Sequence, residues 1–170
     1  GLWDPKQYLL RLRERASAAG VAPYIVVEKI LSRDEELPRD WPVDGTTGYD
    51  FLNYVNGLFV NPANRDAMDT VYREFTGCRE TFQEIVRRSK RKVLQTSFIS
   101  ECNSLAGMLK RIAATSHYGK DFTLRQLTSA LEELLTALPV YRTYINPETN
   151  SLTQAERGFV TETFRRVREA

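Results

Sequence analysis

Apolar residues recur along the chain mainly at helical spacing, and they divide it into a series of helices interrupted by one extended run. Asp4-Pro5 has the form of a helix start, an N-cap acid followed by proline at the first helical position. Tyr8, Leu9 and Leu12 then form a stripe, and Gly20 stops it. Tyr24 to Val27 is a short run without alternation, the pattern of a parallel strand buried on both faces; it ends in two charges, Glu28 and Lys29. From Leu31 to Gly48 the chain turns to loop chemistry, with Pro38, Pro42 and the run Gly45-Thr46-Thr47-Gly48.

Beyond Gly48 the pattern is helical almost throughout. Phe51, Leu52, Val55, Leu58 and Phe59 predict a helix over 49–59. Asn61-Pro62 opens another, with Met68, Val71, Tyr72 and Phe75 on its apolar face and Gly77 as its stop. Cys78 to Thr115 reads as one long or broken helix, and Ser116 to Gly119 as a turn. Thr123 and Gln126 form a capping box ahead of Leu124, Leu127, Leu131, Leu134 and Leu138, and Pro139 ends that helix. Val140 to Ile145 is expected to be extended. A second capping box, Thr153 with Glu156, leads into Phe159, Val160, Phe164 and Val167. The expectation is six or so helices with one or two short strands, a mainly α fold.

Composition narrows the function classes. The 170 residues are 42% hydrophobic and 27% charged, which suits a globular core and not a disordered or fibrous chain. A net charge of +2 gives little pull toward nucleic acid or membrane surface. No apolar run is long enough for a membrane span, and no signal-peptide pattern is visible. Cys78 and Cys102 match no zinc or redox spacing, so no metal site is expected. They read as two buried thiols of a reducing, cytoplasmic compartment. No start methionine precedes Gly1, so the chain is expected to begin after processing or inside a longer protein.

Four features could carry chemistry. Glu28 follows directly on the apolar run, where barrel enzymes keep catalytic carboxylates. The plain alternative is an acid that reaches solvent or pairs with Lys29 or Arg33. Gly45 to Asp50 combines two glycines with hydroxyls and a carboxylate, a set able to approach and bond sugar hydroxyls; taken alone, the residues favour the plainer reading of a helix cap at Thr47 or Gly48, with Asp50 in the first turn. The run Arg87-Arg88-Ser89-Lys90-Arg91-Lys92 follows Glu84 by three and four positions and reads as a solvated helix face, without the aromatic residues that stack on bases. His117 has no nucleophile motif around it and reads as a surface turn residue.

The motifs themselves add a resemblance. Val26-Val27-Glu28-Lys29-Ile30-Leu31, Leu37 to Val43 and Gly45 to Leu52 resemble the middle of maltooligosyl trehalose synthases. Gly1 to Pro5, Phe98 to Leu105 and Pro139 to Ile145 are similar to other segments of that family. The resemblance implies a piece cut from a (β/α)8 barrel enzyme of the α-amylase class. Residues 1–48 would be the barrel-derived segment carrying Glu28, and residues 49–170 a helical insertion domain. It implies a parent enzyme that converts the reducing-end α-1,4 link of a maltooligosaccharide into an α,α-1,1 link by a retaining mechanism, without a cofactor. Glu28 matches the family's general acid/base. Lys29, Thr46, Thr47, Tyr49 and Asp50 would lie near the sugar.

The nucleophile would lie just before Gly1 and a third acid beyond Ala170. Retention wants two carboxyl groups roughly 5–5.5 Å apart, so the isolated chain is expected to be inactive. Its expected partners are a maltooligosaccharide and the rest of the parent chain, with no nucleic acid and no membrane. Two other readings stay open: an α-glucan hydrolase or transferase of the α-amylase class, and a helical carbohydrate or protein interaction module without chemistry.

Overall fold

The computed structural model describes residues 2–32, 35–145 and 152–169. Seven helices and two two-residue strands are found among them, and helix accounts for 61% of the described residues, so the fold is mainly α. The chain divides into two compact units, Gly1–Thr76 and Gly77–Ala170. The 48/49 boundary expected from the family resemblance falls inside the first unit, just before its second helix. Gly1 and Arg33 lie outside the described residues.

In the first unit, α1 spans Pro5–Ala18, and the Asp4 side chain accepts the Gln7 N–H at 2.9 Å as its N-cap. Leu9 is buried, while Tyr8 and Leu12 of the same stripe remain exposed. β1 is Val26–Val27 and β2 is Gly45–Thr46; they pair in parallel, Val26 with Gly45 and Val27 with Thr46. The expected strand over Tyr24–Val27, buried on both faces, is therefore half as long, and Tyr24 is 79% and Val26 41% exposed. A two-stranded sheet gives each strand one neighbour, which leaves Tyr24 and Val26 exposed.

α2 (Tyr49–Gly57) and α3 (Arg65–Thr76) follow, joined by a 3-10 turn at Pro62–Asn64 whose cap is the Asn61 side chain on the Ala63 N–H. Both helices form where the periodicity places them. Neither buries a residue, and Met68, Val71, Tyr72 and Phe75 are all exposed along α3.

The second unit holds α4 (Phe82–Thr96), α5 (Ile99–Ala114), α6 (Leu124–Ala137) and α7 (Gln154–Arg168). α6 packs against each of the other three, and α4 also meets α5. Cys102 and Ala106 of α5, Leu127 of α6 and Val140 form the buried core. Of the 78–115 stretch, Cys78 to Thr81 lie outside any helix, and the remainder is a broken helix with the break at Ser97-Phe98. α4 begins with a capping box, Thr81 with Glu84, that matches those of Thr123 with Gln126 and Thr153 with Glu156.

Two expectations need correction here. Val140 to Ile145 forms no strand: Val140 and Tyr141 lie in a bend, with Val140 buried in the core after α6. Cys102 is buried as expected, but Cys78 is only half-buried, lying in the connection ahead of α4 and not on a packed helix face.

The basic run on α4 also differs in its partners. Glu84 is taken by the capping box, where its carboxylate accepts the Thr81 N–H at 2.6 Å and the Thr81 hydroxyl at 2.8 Å. Arg87 and Arg91 instead both pair with Glu133 of α6, and Arg88 pairs with Glu80. Lys90 Nζ donates to the Leu138 carbonyl at 2.7 Å, capping the end of α6. An N-terminal carboxylate is held first by the unpaired amides of its own helix, which leaves the cations to acids on the neighbouring helix.

Candidate active site

Glu28 is the residue immediately after β1, and it is exposed. The turn that follows is tight: the Lys29 N–H returns to the Val27 carbonyl at 3.0 Å. The Lys29 side chain folds under this turn and pairs with Glu35 at 2.6 Å, with side-chain exposures of only 9% and 6%. Glu35 also accepts the Ser32 N–H at 3.1 Å. A buried pair with a further hydrogen bond to its acid is well satisfied, so Lys29 and Glu35 together pin the residues that leave Glu28.

The other candidates come to the same place through β2. The Thr47 N–H donates to the Val27 carbonyl at 3.1 Å, extending the β1–β2 pairing by one bond to the residue before Glu28. The Thr46 hydroxyl donates to Asp50 Oδ2 at 3.3 Å, a long bond that leans the carboxylate back toward the strand. Gly48 is the N-cap of α2 with φ at 92°, a left-handed conformation that suits glycine and lets the chain turn sharply from strand into helix. Asp50 lies in the first turn of α2, favourably placed toward its amide end. Tyr49 is the first residue of that helix and is 40% exposed. The cap at Gly48 and a ligand-facing role for the loop are compatible: Thr47 and Tyr49 remain exposed beside the strand end.

The structure thus brings Glu28, Thr46, Thr47, Tyr49 and Asp50 to one end of the short parallel sheet, with the Lys29 side chain held by Glu35 beneath the turn. The assembled groups are a carboxylate open to solvent, two hydroxyls, a phenol and a second carboxylate. Such groups can donate to and accept from a polyhydroxylated ligand, and the open carboxylate can transfer a proton. Among the described residues no group of three or more His, Cys, Asp or Glu side chains could hold a metal ion. Nor is any helix among them long and apolar enough to cross a membrane.

Residues without a sequence signal complete the setting. Arg13 of α1 donates through Nε to the Pro42 carbonyl at 2.8 Å, through Nη1 to the Pro23 carbonyl at 2.9 Å and through Nη2 to Asp44 Oδ2 at 2.8 Å. Asp44 Oδ2 also accepts the Ile25 N–H at 2.7 Å, and the Asp44 N–H donates to the Ile25 carbonyl at 2.7 Å. The Ile25 amide, with Arg13 beside it, holds the Asp44 carboxyl below its ordinary value against a modest cost of burial. A second tie, Lys6 to Asp40 at 2.8 Å, fastens α1 to the same loop at the surface. These contacts join residues 10 to 34 positions apart, so only the fold reveals them.

Comparison with known proteins fits this arrangement into a longer chain. No family model matches. Two curated relatives from Mycobacterium tuberculosis, strains CDC 1551 and H37Rv, both assigned as maltooligosyl trehalose synthases, are 35% identical over 142 residues. That alignment covers 84% of this chain and 17% of each relative. Among solved structures, the maltooligosyltrehalose synthase of Arthrobacter ramosus superposes with a TM-score of 0.74 at 28% identity, over 99% of this chain and 19% of its own. A glycosyltrehalose synthase from strain DSM5389 gives 0.67 at 31% identity, over 98% of this chain and 22% of its own. The chain therefore spans about a fifth of the length of the proteins it resembles.

Proposed function

We propose that this chain, which belongs to the maltooligosyl trehalose synthase family, is the part of a glucan-rearranging enzyme that supplies its general acid/base, Glu28. The observation that carries the proposal is the placement of Glu28: exposed, at the end of a parallel strand, and held against the Thr46–Asp50 loop by the β1–β2 pairing. The reaction expected of the parent moves the reducing-end α-1,4 link of a maltooligosaccharide into an α,α-1,1 link.

In this reading Glu28 first donates its proton to the glycosidic oxygen as a carboxylate outside residues 1–170 attacks the sugar carbon. The bond to the terminal glucose breaks and a covalent glucosyl-enzyme forms. Glu28, now ionised, takes the proton from the anomeric hydroxyl of the released glucose. That oxygen attacks the glucosyl carbon and displaces the enzyme carboxylate. No water is consumed, so the product is an isomer of the substrate. Thr46, Thr47, Tyr49 and Asp50 are the groups placed to hold sugar hydroxyls during the exchange.

The chain's surface supports its place in a larger molecule. It exposes 13811 Å² for a mass of 19.5 kDa. A compact chain of that mass exposes roughly 8,500 Å², and two separate domains of half the mass roughly 10,000 Å² together. The excess is carried in part by large apolar side chains on α2, the turn after it and α3, including Phe51, Leu58, Phe59 and Phe75. With one carboxylate of a cooperating set, the isolated chain has no mutase activity in this reading.

Replacing Glu28 by Gln in the full-length enzyme tests the assignment. Loss of both proton transfers is expected to lower kcat by about a thousandfold or more. Retention of more than about a tenth of the rate, a loss of under ~1.4 kcal/mol, would remove Glu28 from this role. Products separate the isomerisation from plain α-glucan hydrolysis, which would use the same carboxylate but release free sugar.

A further inference from the structure

Three segments of the first unit meet at one guanidinium: α1, the residues ahead of β1 and the residues ahead of β2. Arg13 bonds the Pro23 carbonyl ahead of β1, the Pro42 carbonyl at the end of the long loop, and the carboxylate of Asp44 directly ahead of β2. Asp44 in turn exchanges two bonds with Ile25, the residue directly ahead of β1: its carboxylate accepts the Ile25 N–H and its own N–H donates to the Ile25 carbonyl. The clasp therefore closes at the first residue before each strand.

We infer that Arg13 is a positioning residue for the Glu28 site, fixing the β1–β2 register that sets Glu28 against Thr46–Asp50. The inference rests on the function proposed above for Glu28. A pairing of two residues per strand is too short to specify its own register, and a slip by one residue would turn each side chain to the opposite face. The Asp44–Ile25 exchange locks Val26 opposite Gly45 and Val27 opposite Thr46, and Arg13 locks Asp44. The three bonds leave the guanidinium in its fixed fork geometry, which a lysine ammonium cannot reproduce. Arg13 acts through the backbone: its described partners are Pro23, Pro42 and Asp44. The placement it controls is that of a proton donor relative to a sugar, where a shift of one ångström is costly to catalysis.

The test uses the full-length enzyme with Arg13→Ala, Arg13→Lys and Asp44→Asn, with rates normalised to folded protein. Arg13→Ala is expected to lower kcat about 10- to 100-fold while KM stays within about threefold, and Arg13→Lys to rescue little of it. The ratio of hydrolysis to isomerisation should rise by roughly threefold or more as the misplaced acid/base loosens control of the acceptor. A merely structural role would reduce both products equally and leave that ratio unchanged. If Arg13→Ala does not fold, Asp44→Asn carries the test, since its amide oxygen can still accept the Ile25 N–H while the charge pair with Arg13 is lost. Wild-type kcat and product ratio in the folded variants would overturn the inference. Glu28→Gln, measured alongside, keeps the two ideas apart: an inactive Glu28→Gln enzyme with unaffected Arg13 and Asp44 variants overturns the positioning role alone, whereas an active Glu28→Gln enzyme overturns the function on which it rests.

Discussion

In Gly77–Ala170, α6 lies against α4, α5 and α7, and Cys102, Ala106, Leu127 and Val140 are buried together. In Gly1–Thr76, Leu9 is the one buried hydrophobic residue among the described ones, and α2 and α3 bury none. Both units form helices from apolar stripes, of 9 to 14 residues in the first and 14 to 16 in the second. What separates them is cover: the second unit supplies neighbours for its own stripes, while the first leaves Met68, Val71, Tyr72 and Phe75 exposed. The candidate chemistry lies in the unit that does not enclose itself. An apolar stripe predicts a helix; it does not predict that the packing partner lies in the same stretch of chain.

The sharpest way to break this contrast is amide hydrogen exchange on the 170-residue chain. Helices without buried side chains open locally at little cost, whereas a packed helix opens only with its unit. Amides in the middle of α5 and α6 are expected to exchange about a hundredfold more slowly than those of α2 and α3, a difference of about 2.7 kcal/mol. Equal protection across the four helices would mean that the α2 and α3 faces are covered after all, for example by a second copy, and the contrast between units would fail.

One substitution made in both units tests the contrast in single side chains. A Cβ on Gly119, in the turn after α5, would lie 2.3 Å from the Ala113 carbonyl oxygen, a backbone atom that cannot rotate away. Gly119→Ala is expected to destabilise the second unit by about 1–3 kcal/mol. A Cβ on Gly57, at the end of α2, meets nothing within 4 Å. Gly57→Ala is expected to be neutral or to stabilise by up to about 0.5 kcal/mol through helix propensity. Urea denaturation followed by circular dichroism reads both. A cost at Gly57 as large as that at Gly119 would show that α2 packs as tightly as the turn does.

The features that could be read from sequence were local ones. Asp4-Pro5, Thr123 with Gln126 and Thr153 with Glu156 all start helices where their spacing places them, because a cap needs only residues three apart. Thr81 with Glu84 has the same form and starts α4 at Phe82, four residues after the Cys78 start expected from the periodicity. Glu28 and the Gly45–Asp50 loop stood out by their position after an apolar run and by their glycines. Arg13 and Asp44 did not, since nothing in either residue's own neighbourhood announces a partner 31 positions away. Glu35 was hidden among adjacent acids. Burial was the least legible property: Tyr24 to Val27 has the composition of an enclosed strand, and its exposure depends on neighbours that its own sequence does not encode.

The smallest effect expected is electrostatic, and it distinguishes how the second unit is held together. Glu133 of α6 accepts Arg87 at 2.6 Å and also pairs with Arg91, joining α6 to α4. The hydrogen bond from Arg87 and the nearby positive charge of Arg91 hold its carboxyl below the ordinary value of 4.5, with burial opposing. A depressed folded value means that the unfolded chain binds the proton more readily. The contribution is then complete above about pH 4.5 and is lost as pH falls through the depressed value. With side-chain exposures of 30% for Glu133 and 39% for each arginine, solvent screens the network, and the loss should be about 1 kcal/mol or less. Urea midpoints of the chain measured between pH 6 and 3 should therefore decline, and the decline should be shallower in Glu133→Gln and in high salt. Because Asp44 in the first unit is also held low, by the Ile25 amide, part of the slope should survive in Glu133→Gln and shrink further in the double variant with Asp44→Asn. A Glu133→Gln protein with the unchanged wild-type slope would mean that the Glu133 ion pairs contribute nothing to holding α4 on α6, and that the paired arginines are no more than the solvated face their spacing first suggested.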